Sequence, residues 1–284
     1  MKVLLFKIPK PNADAFVYQY DKEVAFYDKL HQHEEIQLSL ILEGTGTLLV
    51  GDTVNYYTKG DVLVIGSNLP HVFKSDVDNS ATSQMLTLFF TKQSFGPDFF
   101  KLEELKELQP FFERSIHGFK MTSNQEALKA LFLQLEEASK LNQFLILLQL
   151  IKITSNSNYQ SLSSFVYDKK YSDNEGTRMR NVFEYTMNNF DKEVTLKAVS
   201  EVANMTKNAF CKYFKKRTNK TYIQFLNELR LEHASRLLLV ANDSTIAEIA
   251  EASGFNNISN FNRQFKAVKH LSPKEFKNKK RLTI

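Results

Sequence analysis

Self-comparison of the chain shows one helical unit used twice. Leu196, Val199, Asn204 and Met205 recur fifty residues later as Ile246, Ile249, Gly254 and Phe255. One residue is then inserted, and Phe210, Phe214, Lys215 and Phe225 recur fifty-one residues later as Phe261, Phe265, Lys266 and Phe276. A repeat of this length confines the carboxy-terminal region to two copies of one supersecondary unit.

Each copy reads as helix, tight turn, helix. Thr195 can cap a helix running through Ala203, Asn204 tolerates the left-handed conformation of a sharp turn, and Thr206 caps a second helix over residues 207–216. In copy two, Thr245-Ile246-Ala247-Glu248 is a capping box, Gly254 supplies the turn, and Asn256 or Asn257 caps the next helix. Boxes at Thr221-Tyr222-Ile223-Gln224 and Ser272-Pro273-Lys274-Glu275 start the closing helices, the second with proline where its missing N–H costs nothing. The second helix of each copy is amphipathic. Phe210 and Phe214, like Phe261 and Phe265, face inward. Lys207, Asn208, Cys211, Lys212 and Lys215 face outward in copy one; Ile258, Ser259, Asn262, Arg263 and Lys266 do so in copy two. Such faces suit the DNA major groove: Arg and Lys read guanine, Asn reads adenine, and an apolar group meets the thymine methyl. A polar solvated face on a helical bundle is the plainer alternative.

Charge favours the first reading. The chain has 284 residues and net charge +5. Residues 1–174 hold 17 Lys+Arg against 21 Asp+Glu, whereas residues 175–284 hold 20 against 11. A basic module thus follows a mildly acidic one, and basic modules meet phosphate. One cysteine excludes an internal disulfide and suits a reducing compartment. The longest apolar run, near residues 144–151, is far short of a membrane span, and residues 1–8 lack signal-peptide features. A cytoplasmic protein with no membrane partner is expected.

Residues 179–279 resemble the AraC/XylS-type bacterial transcription regulators. The resemblance rests on Ile246-Ala247-Glu248-Ile249-Ala250, Gly254-Phe255, Phe261-Asn262-Arg263-Gln264-Phe265-Lys266 and Ser272-Pro273-Lys274-Glu275-Phe276, with Arg230-Leu231-Glu232-His233-Ala234 on the joining helix. It implies that the two second helices enter successive major-groove segments on one face of DNA. By position, base contacts then fall on Asn208, Cys211 and Lys212, with Lys207 beside them, and on Ile258, Ser259, Asn262 and Arg263. Copy one departs from the pattern at Asn204, where glycine is common, and at Cys211, where a polar reader is frequent. Cys211 reads as a small contact residue before a redox-sensitive one.

The first ninety or so residues read as short strands. Ile36, Leu38, Leu40 and Leu42 lie two apart with Gln37 and Ser39 between them, which gives one apolar face. Gly51-Asp52 reads as a hairpin turn between residues 47–50 and 53–58, and further strands follow at 62–65 and 85–90. Beyond Gly96-Pro97 the spacing turns helical over residues 99–112, 128–138 and 144–153, with a capping box at Ser123-Asn124-Gln125-Glu126. The apolar helix at 144–153 serves either as core or as a seam between two subunits. Serine, asparagine and charge concentrate over residues 155–176.

This region also resembles the cupin-like sensor barrels of the same family, through His31-Gln32-His33, Gly44-Thr45-Gly46-Thr47, Gly60-Asp61-Val62 and Pro70-His71. The fold class expected is α+β: an N-terminal cupin-like β-barrel with flanking helices (1–160), a linker (161–176), and an all-α domain of two helix-turn-helix units (177–284). In metal-binding cupins two histidines one residue apart, a glutamate and a later histidine hold one ion. Here the glutamate position falls on Gln37, a poor ligand, so no metal and no cofactor is expected. His31, His33, Gln37 and His71 are expected to line a small-molecule pocket instead.

The resemblance therefore implies a sequence-specific transcription regulator, an activator answering to a small-molecule effector. Its expected partners are promoter DNA, a second copy of the chain through residues 99–153, and RNA polymerase. The alternative is a metal-dependent cupin enzyme with a fused basic domain. A chaperone binding any nucleic acid is a third reading, and paired reading helices argue against it. No nucleophile motif, P-loop or dinucleotide fingerprint is present, and the chain is expected not to be an enzyme.

Overall fold

The computed structural model describes residues 6–10, 14–76, 82–166, 173–240 and 244–281. The chain divides into two compact units, Met1–Asp173 and Asn174–Ile284.

Among the described residues, the first unit holds nine strands: β1 (Val17–Glu23), β2 (Ile36–Glu43), β3 (Gly46–Val50), β4 (Thr53–Tyr57), β5 (Val62–Ile65), β6 (His71–Ser75), β7 (Ser83–Phe90), β8 (Phe119–Met121) and β9 (Tyr159–Ser161). They form an antiparallel six-stranded sheet in the order β1-β7-β2-β5-β8-β9 and a three-stranded sheet in the order β4-β3-β6. The β3–β4 hairpin turns at Gly51, whose φ of 56° the absent Cβ permits. Three helices follow β7 in the chain: α1 (Gln109–Ser115), α2 (Gln125–Leu133) and α3 (Lys140–Asn156).

Strand β2 explains the layering. Leu38 and Leu40 point into a cluster with Phe111, Phe119, Phe132, Leu147 and Leu150, so the face expected to be apolar packs on the helices. The opposite face is buried too. Ile41 joins Leu48, Val50, Tyr57, Ile65 and Phe73 in a second cluster drawn from both sheets. Gln37 and Ser39 share that interior side with Ile41 and are also buried. A strand buried on both faces with polar groups on one is a strand that lines a cavity.

Several local expectations are corrected. Residues 99–108 form 3-10 turns, and regular α-helix starts only at α1. Ser123–Glu126 is not a capping box. Asn124 itself is the N-cap, at φ 61° with no side-chain cap bond, while the Ser123 hydroxyl accepts the Asn158 amide and the Asn124 amide donates to Ser157. A non-local partner has taken the capping oxygen. The expected linker is also shorter than 161–176. Ser161 ends β9, and Leu162 is buried in the inter-sheet cluster. Asp52, at the hairpin tip, accepts the backbone amides of Ser164 and Phe165 at 2.9 and 3.1 Å. Serine-rich composition marked a turn-prone segment, but these bonds build it into the first unit. Helix α4 (Asp173–Asn189) begins inside the expected linker, and residues 167–172 lie outside those described.

The second unit continues with α5 (Leu196–Val202), α6 (Lys207–Thr218), α7 (Tyr222–Val240), α8 (Ile246–Ala252), α9 (Ile258–Lys269) and α10 (Pro273–Arg281). The sequence repeat is a structural one. Phe210 lies 5.8 Å from Phe214, and Phe214 5.7 Å from Phe225, between ring centroids. In copy two Phe261 lies 5.5 Å from Phe265, and Phe265 5.4 Å from Phe276. Among the described residues no helix is long and apolar enough to cross a membrane.

Candidate functional site

The positions of α6 and α9 are set by local chemistry. Thr195 and Thr206 accept the Ala198 and Ala209 amides at the starts of α5 and α6. Asn204 between them has φ 51°. In copy two Thr245 and Glu248 form a reciprocal capping box, and Asn257, rather than Asn256, caps α9. Gly254 turns the chain at φ 80°, and a Cβ there would lie 2.4 Å from the Phe190 carbonyl oxygen. That oxygen accepts from Arg230 Nε at 2.7 Å, and Arg230 also donates to the Lys192 carbonyl at 2.7 Å. Arg230 thus ties α7 to the chain just after α4.

Phe210, Phe214, Phe261 and Phe265 are fully buried. The opposite faces of α6 and α9 are bare. Lys207, Asn208, Cys211, Lys212 and Lys215 are exposed on α6, and Ile258, Ser259, Asn262, Arg263 and Lys266 on α9. Arg263 donates to Asn260 at 2.9 Å, which holds the guanidinium along the helix face. Lys274, at the start of α10, was not singled out in the sequence. It shares a groove with Asn262, Arg263 and Lys266, and only the packing of α10 beside α9 brings it there.

The second candidate site is a cavity of about 370 Å³ inside the first unit. His31, His33, Gln37 and His71 all line it. Gln19, Asp21, Tyr27, Met85 and Phe89 line it as well and were not expected. His31 does not sit in a continuous strand. It forms an isolated antiparallel bridge with His71, which places the two rings 4.2 Å apart between centroids. His33 lies 5.1 Å from His71. One ring nitrogen from each histidine falls within 4.8 Å of the others.

Backbone carbonyls orient all three rings. Nδ1 of His31, His33 and His71 lies 2.8 Å from the carbonyl oxygens of Lys29, Glu35 and Leu69 respectively. A carbonyl only accepts, so Nδ1 carries the proton, and in a neutral ring Nε2 holds a lone pair. Burial favours the neutral form of two of these rings. It lowers the His33 pKa, and it pushes His71 well below the usual range with help from the neighbouring His31 and His33. Nε2 of His71 is buried with no hydrogen-bond partner. Gln37 Nε2 donates to Ser39 Oγ at 3.0 Å, and Ser39 Oγ is 2.8 Å from Thr87 Oγ1. Burial likewise raises the Asp21 pKa, against a hydrogen bond from Gln19. Glu34 is exposed, and the Glu35 carboxylate stands 4.0 Å from His33 Nδ1, so neither joins the nitrogen cluster.

Comparison with known proteins agrees with this division. Residues 199–279 match the helix-turn-helix domain family and residues 22–86 the cupin domain family. The chain is 25% identical over 259 residues to the uncharacterized HTH-type transcriptional regulator YdeC of Bacillus subtilis, covering 88% of this chain and 86% of that one. It is 31% identical over 94 residues to YobQ of the same organism, another uncharacterized HTH-type transcriptional regulator, covering 33% and 39%. Among solved structures, the C-terminal domain of AraT, a response regulator from Geobacillus stearothermophilus, is 27% identical over 36% of this chain and 84% of that domain, with TM-score 0.34.

A cupin fold raises the question of a metal, and the residues can be tested against one. Three imidazoles with converging nitrogens, one of them an orphaned buried acceptor, fit a divalent transition ion. The set departs from the usual one at Gln37, an amide in place of a carboxylate. Such an ion, when bound, would act as a Lewis acid at the cavity wall.

Proposed function

We propose, for a chain that is a DNA-binding transcription regulator with an AraC-type helix-turn-helix domain and a cupin domain, that α6 and α9 read base sequence and that the cavity at His31, His33, Gln37 and His71 takes a small-molecule effector. The observation that carries this reading is the duplicated arrangement of α6 and α9. Each is anchored by two buried phenylalanines and presents an uncovered face of amides and cations. Arg263 and Asn262 can form bidentate bonds to guanine and adenine edges, while Lys215 and Lys266 suit phosphates. Lys207, Asn208, Cys211 and Lys212 do the corresponding work from α6, with Ile258 and Ser259 beside the α9 readers.

The regulator acts as an activator in the cytoplasm, as a homodimer that engages RNA polymerase. Exposed Leu141 and Leu145, one turn apart on α3, support pairing of two copies through this helix. Effector in the cavity would bias how subunits or units are arranged, and so couple to DNA. The three converging imidazoles favour one other reading, a metal-dependent enzyme fused to a basic domain. Relatives named as transcriptional regulators weigh against it.

The test is selection from a randomised duplex library by the full chain at near-physiological salt with excess non-specific competitor. Enrichment of a motif whose positions blur in Asn262→Ala and Arg263→Ala supports the reading. Enrichment of no motif refutes sequence-specific recognition.

A further inference from the structure

Strand β1 brings negative charge to a cavity with many aromatic walls. Gln19, Asp21 and Glu23 lie two apart on β1 and all line it, while alternation sends the exposed Lys22 to the other face. Gln19 Nε2 donates to one Asp21 oxygen at 2.6 Å. Among the described residues neither Asp21 nor Glu23 forms an ion pair, and no lysine or arginine lines the cavity. Burial chiefly, with the charge of Glu23 adding to it, raises the Asp21 pKa against the Gln19 bond. The carboxylate is therefore held at a cost that a bound cation relieves.

His71, on β6, supplies an independent observation. It is fully buried and lines the same cavity. Its Nδ1 proton is committed to the Leu69 carbonyl at 2.8 Å, which leaves Nε2 as an acceptor, and that atom has no partner. A buried acceptor calls for a donor. Phe6 and Tyr27, both exposed, meet at 5.2 Å between ring centroids, and lie 5.3 and 5.0 Å from the His31 ring. Aromatic faces attract cations and accept apolar groups.

We infer that the effector of this cavity is a small organic cation, a protonated amine on an apolar body, held by Asp21 and Glu23 through its ammonium group and by His71 Nε2 through a second donor. This rests on the reading of the cavity as the effector site and names the class of effector. A carboxylic acid would meet two like charges there, and a neutral molecule would leave both carboxylates uncompensated. The volume of about 370 Å³ is at the lower end of the range for ligand cavities, about 300–1,000 Å³, which suits a single ring or a short chain.

The experiment titrates the full-length chain, with a chelator present, with three matched probes: tyramine, its alcohol counterpart tyrosol, and its acid counterpart 3-(4-hydroxyphenyl)propanoate. The readout is the ¹³C-methyl NMR signal of Met85, which lines the cavity, assigned through Met85→Leu. Tyramine should shift that signal and bind about 10–100-fold more tightly than tyrosol, the gain expected of charge-assisted hydrogen bonds. The acid should leave it unmoved. Asp21→Asn should shrink the preference for tyramine, and Asp21→Asn with Glu23→Gln should abolish it while tyrosol still binds, which shows the cavity intact. Circular dichroism checks that the variants fold. Equal binding of tyramine and tyrosol, tighter binding of the acid, or no shift with tyramine overturns the cation class. A preference unchanged in the double variant overturns the role of the two carboxylates. None of these failures touches the sensor reading, which stands or falls on effector-dependent DNA binding by the same preparation.

Discussion

Replacing Gly254 by alanine tests the joint between the two copies. Two costs follow from the structure. A non-glycine residue at φ 80° costs about 1–3 kcal/mol. The new methyl would also sit 2.4 Å from the Phe190 oxygen and 2.8 Å from Arg230 Nε, so the bond between those atoms cannot survive unchanged. A hydrogen bond from a charged donor contributes about 1.5–3 kcal/mol. The expected loss is therefore roughly 2.5–6 kcal/mol of the second unit's stability. Asn204 occupies the same place in copy one at φ 51° and already carries a Cβ, so alanine there brings no new close contact. Asn204→Ala should then pay only the conformational cost, about 1–2 kcal/mol. Urea unfolding followed by circular dichroism, with amide exchange in α8 and α9 to localise the effect, measures both. Equal losses in the two variants would refute the argument that close packing at Arg230, rather than the turn conformation alone, demands glycine at 254.

Other expectations follow from the same geometry. Asn262→Ala and Arg263→Ala should each cost about 1–3 kcal/mol at cognate sites and little on random DNA, by competition binding, whereas Lys266→Ala should weaken both alike and lower the salt slope by about one. Phe214→Ala and Phe265→Ala, equivalent positions, should each destabilise the second unit by about 3–5 kcal/mol, and a tenfold smaller effect in either by chemical denaturation would break the structural equivalence of the copies. Glu248 and Glu275 have carboxyl pKa values lowered chiefly by the hydrogen bonds at Thr245 and Ser272. Their folded pKa lies below the unfolded one, so the stabilisation is full above the unfolded carboxylate pKa and is lost as pH falls through the folded value. Glu248→Gln should flatten the acid limb of the second unit's pH–stability curve, and an unchanged limb would show the box to be energetically idle.

How legible the protein was depended on how local its determinants were. The second unit could be read almost element by element, because Thr195, Thr206, Thr245 and Gly254 act on residues within one turn of themselves. The buried and exposed faces of α6 and α9 followed from a helical period alone. The barrel was harder. Strands β8 and β9 are three residues each and owe their existence to pairing with one another and with β5, which no local pattern reveals. The Ser123 box failed because Asn158, far along the chain, claims the same oxygen. His31, His33, Gln37 and His71 could be named from the sequence. Their orientation could not, because it depends on carbonyls at Lys29, Glu35 and Leu69 and on the backbone bridge between His31 and His71.

Footprinting of the full-length chain on DNA upstream of its own gene, at near-physiological salt with excess non-specific competitor, is the most direct test of the central claim. Two helices reading successive major-groove segments predict two protected patches on one face of the duplex, about one helical turn apart, that persist under competition. Protection that is diffuse and vanishes with competitor would contradict it.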